Sequence, residues 1–339
     1  MTAKPRVNIA LLMYNDPLFV ERIFPVTERE RINDYANMHP VTLTAKNFTE
    51  YRGVAAGCEA VLTGWGTPFE LLTPGNFPCL KIVLYSGGSV KEFATALKLA
   101  ERGVLAVSAR FANSVMVSRY CLAQILLAAK GFFRNTRDCR DSTLTTSRET
   151  FKGMGTYHTK VALLGMGMIA RELVKLLRQV DMEVLAVDPY LSEEEAVKLG
   201  VTKVTIEQAF RDAYVVSNHL PNIDSLSGVI DSSLLASMQD GAVFLNTGRG
   251  AQVNEGDLAK VARERPDLSF LLDVTEPEPP AAGHPFYTLP NIQLTSHIAG
   301  AMGNELQILG DTVISDLRRY CAGQPLRYAE DLTQLDKLG

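Results

Sequence analysis

The run Val161-Ala-Leu-Leu164-Gly165-Met-Gly167-Met-Ile-Ala170 decides the fold. Its apolar opening reads as a buried strand and its glycines as a tight turn, and residues 171–177 continue with helical spacing. Strand, turn and helix together are the setting of a dinucleotide-binding loop. The first glycine permits the turn, the second lets backbone approach a pyrophosphate, and a small third residue, here Ala170, lets helix and strand pack closely. Glycines at a strand end also serve plain turns, so the next strand matters. That strand, 183–187, ends in Asp188, about 20 residues on, where a carboxylate can accept hydrogen bonds from the adenosine ribose. Asp188 before Pro189 would also begin a turn, but the glycines ahead of it favour the nucleotide reading. Gly165, Gly167, Met168, Ile169 and Asp188 are the expected cofactor contacts. NAD is expected over NADP, because Pro189 and Tyr190 bring no positive charge to a 2′-phosphate.

Outward from this loop, the second half of the chain alternates predicted strands at 160–164, 183–187, near Val204, 214–217, 242–246, 268–272 and 292–295 with helical stretches. The first half does the same with strands at 7–13, 41–43, 60–63, 81–85 and 105–107. Such alternation is the pattern of parallel sheets covered by helices. A long helix is expected over 114–134, its apolar part from Tyr120 to Phe133 interrupted by Lys130. A polar exposed connection is expected over 135–150 and a last helix over 304–320. The expected fold is α/β, with two Rossmann-like or flavodoxin-like doubly wound parallel-sheet domains and the active site in the cleft between them. Residues 1–110, completed by 304–339, form the substrate domain, and 111–303 the NAD-binding domain.

With 339 residues, 46% hydrophobic and 21% charged, the chain exceeds one compact core. A net charge of −4 with no basic run gives no support to nucleic-acid or membrane-surface binding. The apolar N-terminal run is too short to span a bilayer and lacks a signal cleavage site. Cysteines at 58, 79, 121, 139 and 321 are odd in number and widely spaced, which fits neither a disulfide framework nor a zinc site. A cytoplasmic protein without metal is expected.

Three later segments carry the chemistry: Asn246-Thr247-Gly-Arg249-Gly250, Asp273-Val-Thr-Glu-Pro-Glu278-Pro279 and Thr295-Ser-His297-Ile-Ala-Gly300. Each begins where a predicted strand gives way to a loop, the edge at which open parallel sheets bind ligands. Singly, they read as an exposed arginine, a solvated carboxylate in a proline-rich turn and a satisfied histidine. In this order behind a dinucleotide loop, they make the chain resemble the D-2-hydroxyacid dehydrogenases over nearly its whole length, most strongly from 161 to 300. The resemblance implies hydride transfer between NAD(H) and a 2-hydroxy or 2-keto acid. Arg249 would bind the substrate carboxylate, for which its planar fork is suited. His297 would be the general acid in reduction and the base in oxidation, with Glu278 orienting its ring.

By the same resemblance Asp273 holds the nicotinamide carboxamide, Thr247 lies at the cofactor, and His219 and Pro221 form a loop beside it. His219 is then the rival to His297, without a matching glutamate. The remaining histidines, His39, His158 and His284, are expected in loops or at the surface. In the first half, Ser86-Gly87-Gly88-Ser89 resembles the loop whose amides receive the substrate carboxylate, with Gly87 and Gly88 allowing close approach. A homodimer through the cofactor domain is implied as well. The chain departs from the family pattern at Glu92-Phe-Ala-Thr95, at Arg119 in place of a glutamate, and at Ser296 in place of a proline. Trp65 could wall a pocket or simply pack. Two rivals remain. Formate dehydrogenase resembles the family but carries glutamine where Glu278 stands, and a non-catalytic NAD-sensing corepressor shares the fold.

Overall fold

Short apolar runs rich in Val, Leu and Ile become strands buried on both faces when helices cover them, as they do here. The computed structural model describes residues 6–13, 16–140 and 150–335. The chain divides into two units, Met1–Asn113 with Ala301–Gly339, and Ser114–Gly300.

The first unit contains β1 (Asn8–Leu11), α1 (Pro17–Ile23), α2 (Val26–Ile32), β2 (Asn37–Met38), α3 (Arg52–Gly57), β3 (Ala60–Thr63), β4 (Ile82–Tyr85), α4 (Lys91–Ala96) and β5 (Leu105–Ser108). Its five parallel strands run in the order β2-β1-β3-β4-β5, the flavodoxin-like order. The expected strand at 41–43 is instead β2 at Asn37–Met38, with Leu43 making an isolated bridge to Leu12. The cause is Pro40, which has no N–H to donate. His39 N donates to the Ile9 carbonyl, the chain then loops out, and pairing resumes when Leu43 N reaches the Leu11 carbonyl.

α5 (Arg110–Ala129) leads into the second unit and is followed by α6 (Phe132–Asp138). The single helix expected over 114–134 is thus two, broken at Gly131, whose φ is +71°. A Cβ there would lie 2.5 Å from the backbone nitrogen of Gly153, so the break lets two backbone segments touch. Residues 135–138 of the expected exposed connection are helical, and 141–149 lie outside the described residues. By length and composition α5 could cross a membrane. Its residues Cys121, Ile125, Ala128 and Ala129 are nevertheless fully buried in the core of the second unit.

That unit continues with β6 (Lys160–Leu164), α7 (Met168–Leu177), β7 (Glu183–Val187), α8 (Glu193–Leu199), β8 (Thr202–Lys203), α9 (Ile206–Asp212), β9 (Val215–Asn218), α10 (Ser232–Ala236), β10 (Val243–Asn246), α11 (Glu255–Glu264), β11 (Ser269–Leu272) and β12 (Ile292–Leu294). Seven parallel strands run β12-β11-β10-β9-β6-β7-β8. Counted from β6, this is the Rossmann order with one further strand at the edge. The order reverses between β6 and β9, so the loops after these two strands flank the switch point where such sheets bind ligands.

The chain then returns to the first unit with α12 (Leu306–Cys321). Gly310 lets α12 pack on α1, since a Cβ there would fall 1.9 Å from the Ile23 carbonyl oxygen. The fully buried Asp316 carboxylate accepts the amides of Arg327 and Tyr328 and fastens the tail.

Candidate functional site

β6 ends at Gly165, where φ is +84° and a Cβ would meet the His219 carbonyl oxygen at 2.7 Å. Only glycine satisfies both conditions. Gly167, the N-cap of α7, has ordinary φ, and a Cβ on it would meet nothing within 4 Å. Among the described residues no side chain caps α7. Its first amides and positive dipole end are therefore left without a side-chain partner, as a phosphate cradle requires. Met168 is half-exposed at the helix start, and Ile169 packs against the core.

Asp188, half-buried after β7, accepts the Met166 amide through Oδ2 and the Tyr190 amide through Oδ1, both at 2.8 Å. The turn role and the loop role coexist: one oxygen shapes the Asp-Pro-Tyr turn, and the other ties it to the glycine loop. Each oxygen retains a lone pair. Arg171, just past the glycine loop, is occupied by Glu195 at 2.7 Å and by the Met166 carbonyl.

His219, after β9, is buried. Nε2 contacts Ser217 Oγ at 2.9 Å, and Nδ1 has no hydrogen-bond partner among the described residues. Burial pushes its pKa down to about 4, so the ring is neutral at neutral pH. An orphaned buried nitrogen on the switch point, an open phosphate cradle and a ribose-height carboxylate suit a dinucleotide. Thr247 turns its hydroxyl inward to Cys121 Sγ, at 3.3 Å. Burial raises that thiol to about 12, which makes it inert.

Past β10, Arg249 is exposed. Among the described residues its guanidinium bonds the Gly248 carbonyl at 2.8 Å and pairs with no carboxylate. Asp273, after β11, is 2% exposed. Its carboxylate accepts Thr295 Oγ1 at 2.6 Å, the Ile298 amide at 2.8 Å and the Ala299 amide at 2.9 Å. It thereby pins the loop that carries His297. His297 has a left-handed backbone, φ 58°, and its amide donates to the Asp273 carbonyl. Its Nδ1 lies 2.8 Å from Glu278 Oε1, both side chains being about half exposed. Nε2 makes no hydrogen bond among the described residues. A ring held at Nδ1 by a carboxylate and open at Nε2 can exchange a proton with a ligand.

The other expected residues are placed as follows. His158 is exposed and His39 and His284 half-buried, all in loops. Arg119 is exposed on α5, and Ser296 is exposed beside His297. In the first unit, Gly87 is buried and Gly88 half-buried, and neither amide donates to an acceptor among the described residues. Trp65 packs against that unit's core.

Absent from the sequence reading was a buried amide cluster beneath Arg249. Asn218 Nδ2 donates to Asn246 Oδ1 at 3.0 Å and to Gln252 Oε1 at 2.6 Å. Gln252 Nε2 donates to the Leu220 and Pro221 carbonyls at 2.9 and 2.8 Å. Amides closing the apolar runs of β9 and β10 were the available signal.

Residues 122–299 match the family described as D-isomer specific 2-hydroxyacid dehydrogenase, NAD binding domain. The D-3-phosphoglycerate dehydrogenase of Archaeoglobus fulgidus is 27% identical over 236 residues, 70% of this chain and 44% of that protein. The chain thus spans less than half of that relative. The (S)-sulfolactate dehydrogenase of Chromohalobacter salexigens is 29% identical over 220 residues, 65% of this chain and 71% of that one. The NAD-complexed D-isomer specific 2-hydroxyacid dehydrogenase of Lactobacillus delbrueckii ssp. bulgaricus shares the fold. Its TM-score is 0.74 at 17% identity, over 95% of this chain and 99% of that one. With more than half of its length matching the family description and its sheet order and strand-end loops laid out accordingly, the chain belongs to the D-isomer specific 2-hydroxyacid dehydrogenase family.

Proposed function

We propose that the protein is an NAD-linked dehydrogenase interconverting a 2-hydroxy acid and a 2-keto acid. The observation that carries this reading is the His297–Glu278 pair, 2.8 Å apart at the carboxyl edge of the sheet, with ring Nε2 open. The nicotinamide supplies or accepts the hydride. Arg249 holds the substrate carboxylate and draws electron density from the adjacent carbonyl. His297 Nε2 delivers a proton to the carbonyl oxygen in reduction and removes it from the hydroxyl in oxidation. Glu278 fixes the ring through Nδ1 and balances its charge while the proton resides there. Asp273 sets the backbone from which the ring projects. His219, neutral and buried, offers a hydrogen bond to the cofactor and no proton to the substrate. The Gly87-Gly88 amides are a further anion receptor on the first unit.

Reduction of glyoxylate, hydroxypyruvate, pyruvate and bulkier 2-keto acids, followed as loss of NADH absorbance, tests the proposal. Turnover of one or more, abolished in Arg249→Ala, is the expected result. NADH binding without turnover of any 2-keto acid would overturn it in favour of a non-catalytic NAD sensor.

A further inference from the structure

We propose that Gln252 is a positioning residue that holds Arg249 in the orientation needed to receive a carboxylate; this rests on the substrate-binding reading of Arg249. Gln252 is 1% exposed, and its side-chain amide is fully used. Oε1 accepts from Asn218 Nδ2 at 2.6 Å and from the Arg249 amide at 3.2 Å. Nε2 donates to the Leu220 and Pro221 carbonyls. One side chain thus joins the loop after β9 to the loop after β10.

The other backbone group of Arg249 is held in the same way. Its carbonyl accepts Asn246 Nδ2 at 3.1 Å, and Asn246 Oδ1 is bound by the same Asn218 Nδ2 that binds Gln252. Arg249 therefore has both main-chain polar groups gripped by buried side chains that meet on Asn218, while its guanidinium is exposed and unpaired with any carboxylate among the described residues. The glycine that follows locks the loop on its other side, since a Cβ on Gly250 would lie 2.0 Å from the Thr275 carbonyl carbon. An immobile backbone carrying a charged end with no carboxylate partner is what an anion-receiving arginine needs, because the geometry is set before the ligand arrives. A fully satisfied buried amide network supplies that rigidity, and one missing member loosens every loop it joins.

The test compares Gln252→Leu, Gln252→Glu and Arg249→Ala with the wild type. The readouts are the kcat and KM for glyoxylate or hydroxypyruvate, the Kd of oxalate for the NADH complex by fluorescence, and hydrogen exchange of residues 246–252. Gln252→Leu should raise KM and the oxalate Kd about tenfold or more, lower kcat severalfold, and speed exchange at the Arg249 amide. A purely structural role would reduce the folded fraction, and hence apparent kcat, but leave KM and the oxalate Kd unchanged. Gln252→Glu keeps the acceptor facing Arg249 and loses the two donations, so a rise of about threefold in both constants is expected even if the leucine variant does not fold. Wild-type constants in the folded Gln252 variants, with raised constants in Arg249→Ala, overturn this inference alone. Unchanged constants in Arg249→Ala overturn the carboxylate reading and this inference with it.

Discussion

His297 sits in the left-handed region at φ 58°, a conformation that costs a non-glycine residue on the order of 1–2 kcal/mol. Asp273 offsets that cost by accepting the next two amides and the Thr295 hydroxyl. Asparagine tolerates this conformation well. His297→Asn should therefore melt within a few degrees of the wild type while 2-keto acid reduction falls by about 10² or more, the typical share of a general acid. Calorimetry and NADH turnover on one preparation check this, and retained turnover would remove His297 from the mechanism. Its partner tells a similar story. The Glu278–His297 pair is about half exposed, and exposed ion pairs contribute roughly 0–1 kcal/mol. Glu278→Gln should accordingly leave the urea midpoint nearly unchanged yet lower kcat about tenfold or more. An equal loss of stability and rate would mean that the pair is structural.

At the scale of elements, the turn between β6 and α7 separates two glycines that look equivalent in the motif. Gly165 is required by its own fold, through its positive φ and the His219 carbonyl 2.7 Å from any Cβ, whereas Gly167 has room around it. Gly165→Ala should destabilise by about 2–4 kcal/mol from strain and clash together. Gly167→Ala should melt within about 1 kcal/mol of the wild type and lose NADH affinity. Thermal denaturation beside NADH fluorescence titration separates them, and unimpaired NADH binding in Gly167→Ala would contradict the cradle assignment. The end of β7 adds the cofactor preference. Asp188 stands tied to the glycine loop, and Arg171 is already engaged by Glu195, so neither residue welcomes a 2′-phosphate. NADH should be favoured over NADPH by about 2–4 kcal/mol in kcat/KM. Equal values at a saturating 2-keto acid would show that Asp188 does not face the ribose.

For the molecule as a whole, buried neutral His219 couples stability to pH. Its pKa falls from 6.5 to about 4 through burial, so between those values the unfolded chain takes up a proton that the folded chain refuses. Stability is full above pH 6.5 and is lost as pH falls toward 4, by about 2–3 kcal/mol between pH 7 and 4.5. His219→Gln should flatten this part of the profile of urea midpoints, and an unaltered slope would place the acid sensitivity elsewhere. The amino-acid sequence by itself determined the parallel sheets, the glycine loop, Asp188 and the strand-end placement of Arg249, Glu278 and His297, because apolar periodicity, glycine at a strand end and residue chemistry are local properties. It did not place the Pro40 interruption of the edge strand or the helix break at Gly131. The first depends on which carbonyls lie alongside and the second on the Gly153 backbone pressing against it. Nor did it show that Asp273 pins the His297 loop, or that Asn218, Asn246 and Gln252 form one buried network. Those contacts join residues 28 and 34 positions apart for the amides and 25 and 26 for the aspartate, and hydrogen-bond partners at such separations exist once the strands are laid side by side.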